Sequence, residues 1–124
     1  MQLDLSGKTA LVTGGARGIG AEISRIYALA GANVIVAHLA VEQDVEGARM
    51  VREQIEGAGG RCICVEADVT CPDQIDALVE RCNHEFDAID ILVNSAGFAR
   101  PAGIDELTVD AWRHGIEVNL TGAY

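Results

Sequence analysis

The chain has 124 residues, 49% of them apolar, with 14 glycines, two prolines and a formal net charge of −10. That is the length of one compact domain, about 100–150 residues, and the composition excludes a disordered chain. The acidity argues against nucleic acid or an anionic membrane as the main partner, and no apolar run approaches the ~20 residues that cross a bilayer.

The N-terminal "MQLDLSGKTA" has neither a basic region nor an apolar one, so it does not read as a signal peptide, and a cytoplasmic protein is expected. "TALVT" (Thr9 to Thr13) reads as a short buried strand. From about Arg17 to Ala30, Ile19, Ile23, Ile26 and Ala30 form a helical stripe, and Gly31 suits the helix end. "NVIVAH" (Asn33 to His38) is the second strand. A helix from about Gln43 to Gly57 follows, with Val45, Ala48, Val51 and Ile55 on one side. "RCICVEA" is the third strand.

Thr70 then reads as an N-cap, with Pro72 in the first turn and Asp73 after it. Ile75, Leu78, Val79 and Cys82 supply the apolar stripe of that helix. "DILVNSAG" is the fourth strand, and a last helix starts near Thr108 and runs to Tyr124. Four strands alternating with helices must run parallel, with right-handed crossovers. The expected fold is therefore α/β, a Rossmann-type doubly wound sheet ending after the fourth strand and its helix, with residues 1–124 as one dinucleotide-binding domain.

The four cysteines match no zinc spacing, so no metal site is expected. Cys62 and Cys64, two apart on a strand, share a face. Reduced, buried thiols fit them better than redox or metal chemistry.

"TALVTGGARGIGAEI" places Gly14, Gly18 and Gly20 where the first strand meets the first helix. It has neither the G-x-G-x-x-G form nor a P-loop lysine. The physics is nonetheless that of anion binding: glycines let a ligand approach the backbone, and a helix N-terminus presents unpaired N–H groups. A turn in which glycine merely relieves crowding is the competing reading.

"TGGARGIG" resembles the T-G-x-x-x-G-x-G signature of the short-chain dehydrogenase/reductase family. "ADVT" (Ala67 to Thr70), "NSAG" (Asn94 to Gly97, with Ser95 departing from N-N-A-G) and "VNLTG" (Val118 to Gly122) resemble the family's next three motifs, in its order. The resemblance implies that Gly14, Gly18, Ile19 and Gly20 border a cofactor diphosphate, and that Arg17 reaches toward the adenosine phosphate. It implies that Asp68 and Val69 hold the adenine, and that Asn94, Ala96 and Gly97 line the ribose and nicotinamide side. Asn119 corresponds to the family's active-site asparagine, holding a water in a proton relay. Taken singly, Asp68 also suits a plain turn, Asn94 a bridge between strands and Arg17 a surface charge.

NAD-preferring relatives commonly place an acid about twenty residues after the glycine turn. Here that neighbourhood reads "VAHLAV", with His38 and no acid. With Arg17 before Gly18, the expectation leans to NADP(H). His38 is a candidate contact for a 2′-phosphate, while NAD stays open because Glu42 or Asp44 could fold back.

The resemblance further implies hydride transfer between the cofactor and a small carbonyl or alcohol substrate. The 3-oxoacyl-carrier-protein reductase and sugar dehydrogenase branches are the most similar, with "FARPAGIDEL" (Phe98 to Leu107) beside the substrate. The family's tyrosine, with a lysine four residues on, is absent: Tyr27 and Tyr124 are the only tyrosines and neither has that lysine. The chain is thus expected to be part of a protein roughly twice as long and inactive alone. A catalytically silent nucleotide-binding or structural module is the alternative. Homo-oligomers are expected, with Trp112 either an interface anchor or a core residue.

Overall fold

The structure is a computed structural model that describes residues 2–124. Four parallel strands form one sheet in the order β3-β2-β1-β4: β1 (Thr9–Thr13), β2 (Asn33–His38), β3 (Arg61–Glu66) and β4 (Ile91–Asn94). Connecting them are α1 (Gly18–Leu29), α2 (Glu42–Gly57) and α3 (Pro72–Phe86), and α4 (Val109–Ile116) follows β4. This is the Rossmann-type α/β architecture that the alternation of strands and helices implies. The strand order reverses direction between β1 and β4, the position where open α/β sheets open a crevice for ligands.

The two central strands are buried on both faces, which is why they read as unbroken apolar runs. Val12, Val34 and Val36 point to one side and pack with Ala48, Val51 and Ile55 of α2 and Ala21 of α1. Leu11, Ile35 and Ala37 point to the other and meet Leu78 and Cys82 of α3. In register, Leu11 lies beside Ile35 on β2 and beside Leu92 on β4. β4 forms one edge of the sheet, and Leu92 on it is 55% exposed. The backbone N–H of Thr9 donates to the Asp90 carboxylate at 2.8 Å, which ties the starts of β1 and β4 together.

Several details depart from the sequence reading. On α1 the buried positions are Gly20, Ala21 and Ser24, while Ile19 and Ile26 are exposed. The helix lies so close to the glycine turn that only small residues fit beneath it, so Ile19 and Ile26 turn outward while Ile23, half-buried, still packs on the core. On α2, Asp44 is buried and Val45 exposed, because a cation from the neighbouring turn reaches the carboxylate. The N-cap of α3 is Cys71 rather than Thr70, whose hydroxyl donates instead to Asp68. On the same helix Val79 is 38% exposed.

The last helix does not run unbroken to Tyr124. After Ile116 the backbone widens into a π-helical turn, Glu117–Thr121, closed by Gly122 N–H donating to the Glu117 carbonyl at 2.7 Å. None of the residues of α4 or of this turn is buried, and Trp112 is 61% exposed.

The four cysteines are free, and no metal-binding cluster exists among the described residues. Cys62 and Cys64 share a face as their spacing requires. The neighbouring Cys64 thiol, then burial, raises the Cys62 thiol, while Cys62 lowers that of Cys64. Burial pushes Cys82 up to about 11. No described helix is long and apolar enough to cross a membrane.

Gly47 of α2 permits a close contact between that helix and the glycine turn: a Cβ there would lie 2.4 Å from the Ala16 carbonyl oxygen. Helix propensity alone favours Gly47→Ala by about 1 kcal/mol. The structure reverses the sign, and urea denaturation of the variant should show a loss of about 1–3 kcal/mol. An unchanged or raised midpoint would mean that α2 does not rest on the turn.

Candidate cofactor site

A cleft of about 290 Å³ opens beyond the carboxyl ends of β1, β2 and β4. Its floor is the turn Gly14–Arg17, and the three signature glycines there have three different roles. Gly14, at φ +63°, lies against β4's exit: a Cβ would sit 2.8 Å from both N and Cα of Ala96. Gly20 is buried, and its Cβ would sit 2.3 Å from the Gly14 carbonyl oxygen. These two glycines let β1, β4 and α1 converge. Gly18, at φ +53°, faces open space, with nothing within 4 Å of where a Cβ would be.

Gly18 also begins α1, whose N-cap Arg17 is extended (φ −142°) and makes no side-chain cap. The first turn holds no acidic side chain. The start of α1 therefore presents N–H groups and a partial positive charge with no side chain of its own in front of them. Ile19, the next residue, is 78% exposed and not part of the cleft wall.

Thr13 fastens the strand ends beside this turn. Its hydroxyl accepts from the Ala96 N–H at 3.2 Å and donates to the Val93 carbonyl at 3.4 Å. Ala96 and Gly97 line the cleft; Asn94, exposed at the end of β4 opposite Thr13, does not.

On the far wall Asp68 and Val69 follow β3. Asp68 Oδ1 accepts from the backbone N–H of Thr70 (2.9 Å) and from its hydroxyl (2.7 Å), while Asp68 N–H donates to Gln74 Oε1 at 2.8 Å. The turn reading and the wall reading of Asp68 thus hold together: one oxygen shapes the turn that puts the residue in the wall. Val69 lies under the π-helical turn, where a Cβ on Gly122 would meet it at 2.7 Å.

His38 is only 6% exposed, and its Nδ1 donates to the Leu39 carbonyl at 2.8 Å, which fixes the ring at the cleft's edge. Arg17 does not extend freely into the cleft. Its Nη1 donates to Gln43 Oε1 at 2.9 Å, and its Nε forms an ion pair with the buried carboxylate of Asp44.

Asn119 sits on the π-helical turn and grips the loop after β4 with both ends of its amide. Nδ2 donates to the Phe98 carbonyl at 2.7 Å, and Oδ1 accepts the Phe98 N–H at 2.9 Å. π-Helical turns are rare and recur at functional sites. The clamp holds the Phe98 ring edge-on to His114, with centroids 4.5 Å apart, and both line the cleft.

The sequence reading gave Gln74 and His114 no role, and Thr13 entered it only as the first residue of the glycine signature. Each acts through a partner distant in sequence or through backbone, so no local pattern told its role. The residues it did single out converge as Gly14, Arg17, Gly18, His38, Asp68, Val69, Ala96 and Gly97 around one cleft. Ile19, Gly20, Asn94 and Asn119 stand behind or beside it.

A family model described as "short chain dehydrogenase" matches residues 8–124. A 3beta-hydroxysteroid dehydrogenase 1 of Eggerthella lenta is 39% identical over 98% of this chain and 45% of its own length. A cis-4-hydroxycyclohexanecarboxylate dehydrogenase of Sinomonas cyclohexanicum is 44% identical over 93% and 45%. Among solved structures, a short chain dehydrogenase of Burkholderia cenocepacia in complex with NADP superposes with a TM-score of 0.87. It is 40% identical, over 95% of this chain and 47% of that one. A dehydrogenase/reductase of Sinorhizobium meliloti superposes at 0.91, with 38% identity, over 98% and 47%. The chain thus spans about half the length of the relatives it matches. With the family match reaching from Lys8 to Tyr124 across the glycine turn and the cleft built on it, the chain belongs to the short chain dehydrogenase family.

Proposed function

We propose that this chain carries the cofactor-binding part of an NAD(P)-dependent oxidoreductase. Such an enzyme passes a hydride between a nicotinamide ring and a carbonyl or alcohol carbon of a small substrate. The observation that carries the reading is Gly18: a positive-φ glycine facing open space at the uncapped start of α1, beside the cleft that Asp68 and Gly97 line. A dinucleotide fits these residues. Its diphosphate would rest on the N-terminus of α1, its adenine between Asp68 and Val69, and its ribose and nicotinamide toward Asn94, Ala96 and Gly97. When bound, the nicotinamide supplies or accepts the hydride.

Asn119 keeps one N–H and one acceptor site after its two bonds to Phe98, enough to hold the water of a proton relay. On this reading the catalytic tyrosine and lysine would belong to the part of the relatives' length that this chain does not span. NADP(H) is the preferred cofactor on this reading and NAD(H) the second, because β2 ends in His38 rather than an acid. The NADP held by the Burkholderia relative supports it. We further propose a cytoplasmic homo-oligomer, with residues 1–124 acting as one dinucleotide-binding domain. The exposed apolar residues of α4, Trp112 among them, would meet a neighbouring subunit.

A second reading is a nucleotide-binding or structural module without turnover. The natural polypeptide carrying this sequence decides between them in an assay of NADPH oxidation against a panel of carbonyl compounds. Turnover sinks the silent readings. Saturable NADPH binding without turnover supports the module, and a folded protein that binds neither dinucleotide leaves only a structural role.

Two substitutions test the site. Gly18→Ala adds a methyl into open space at a cost of about 1–2 kcal/mol for the left-handed backbone. It should weaken NADPH binding at least about tenfold through the lost close approach. A variant that binds NADPH as before would remove the diphosphate from this turn. Asn119→Ala deletes two hydrogen bonds, each worth about 0.5–1.5 kcal/mol. Hydrogen exchange at the Phe98 amide should quicken markedly, and an unchanged rate would mean the clamp is not formed in solution.

A further inference from the structure

Arg17 and Asp44 form the charged pair at the end of the cleft beyond β2, and both line it. Asp44 lies in the first turn of α2, where the helix dipole favours a carboxylate. It is 7% exposed. The Arg17 Nε approaches Asp44 Oδ1 to 2.5 Å, and that oxygen is closed off from solvent, so the two groups form a contact ion pair. Gln43 holds the other side of the guanidinium through Nη1. Gly47 lets α2 sit on Ala16, one turn further along, and so keeps the carboxylate under the glycine turn.

This arrangement has opposite consequences for the two forms of a nicotinamide dinucleotide. A 2′-phosphate carries about 1.5–2 negative charges at neutral pH. It would meet an arginine whose charge is already balanced by a buried carboxylate behind it. A 2′-hydroxyl is neutral, so balancing that arginine costs it little. The strand end where an acid is usual has His38, yet α2 delivers an acid to the same cleft from six residues further on.

We propose that Asp44 is a specificity-determining residue: by balancing the charge of Arg17, it narrows the margin between NADP(H) and NAD(H). The proposal rests on the dinucleotide reading above. The groups that act are one cation and one acid, so removing the acid alone should release the cation.

The experiment titrates NADPH and NADH separately into the natural polypeptide and its Asp44→Asn and Asp44→Ala variants. The readout is the ratio of the two dissociation constants, which is independent of how much of a sample is folded. Both variants should shift that ratio toward NADPH by about tenfold, the scale of one unit charge several ångströms from a phosphate in a partly solvated site. Arg17→Ala added to Asp44→Asn should erase the shift. An unmoved ratio, or one that shifts toward NADH, overturns the proposal; the latter would mean that Asp44 aims Arg17 at the phosphate. If the unsubstituted protein binds neither dinucleotide, the cofactor reading falls and this inference with it. Binding of both with an unmoved ratio removes only the role of Asp44.

Discussion

The contact on which this structure depends is the convergence of three backbones at Gly14. The end of β1, the exit of β4 and the start of α1 approach so closely there that side chains at Gly14 or Gly20 would collide with backbone atoms of Ala96 or of Gly14 itself. Thr13 locks the same point with a hydroxyl shared between Val93 and Ala96. Because these elements meet without side chains between them, the helix N-terminus and the strand ends face one cleft. The positive end of a helix dipole and the ends of parallel strands are then in register by construction.

That crowding propagates outward. α1 sits low on the sheet, so its buried face is Gly20, Ala21 and Ser24, and Ile19 and Ile26 are displaced to the surface. α2 rests on the turn through Gly47, which places the Asp44 carboxylate where Arg17 can reach it. The loop after β4 is held from the opposite side by Asn119. The cleft is thus walled by contacts whose first purpose is packing, and its polar groups are delivered by elements that the packing fixes.

Charge within the cleft follows a similar logic. The chain is acidic overall, yet the part that would face an anion is a helix end with no acidic side chain in its first turn. The acids near the cleft are committed elsewhere: Asp68 shapes a turn through Thr70, and Asp44 is paired with Arg17. A net charge of one sign therefore places no limit on the local field, because backbone dipoles and paired carboxylates set it over a few ångströms.

The architecture was legible in the sequence because it rests on local rules. Apolar runs of five or six residues, amphipathic helical stripes and glycines at strand ends give parallel strands and crossovers without knowledge of any contact. The motif from Thr13 to Gly20 announced a glycine turn with left-handed backbone at Gly14 and Gly18 for the same reason: φ and missing side chains are properties of single residues. What only the tertiary structure decided are the partnerships. Which glycine packs and which faces open space depends on Ala96, some eighty residues away. Whether Arg17 is free or paired depends on how far α2 descends onto the turn, and the widening at Glu117–Thr121 depends on Asn119 finding Phe98. Local backbone preference is written residue by residue, whereas a side chain's partner is set by how whole elements dock.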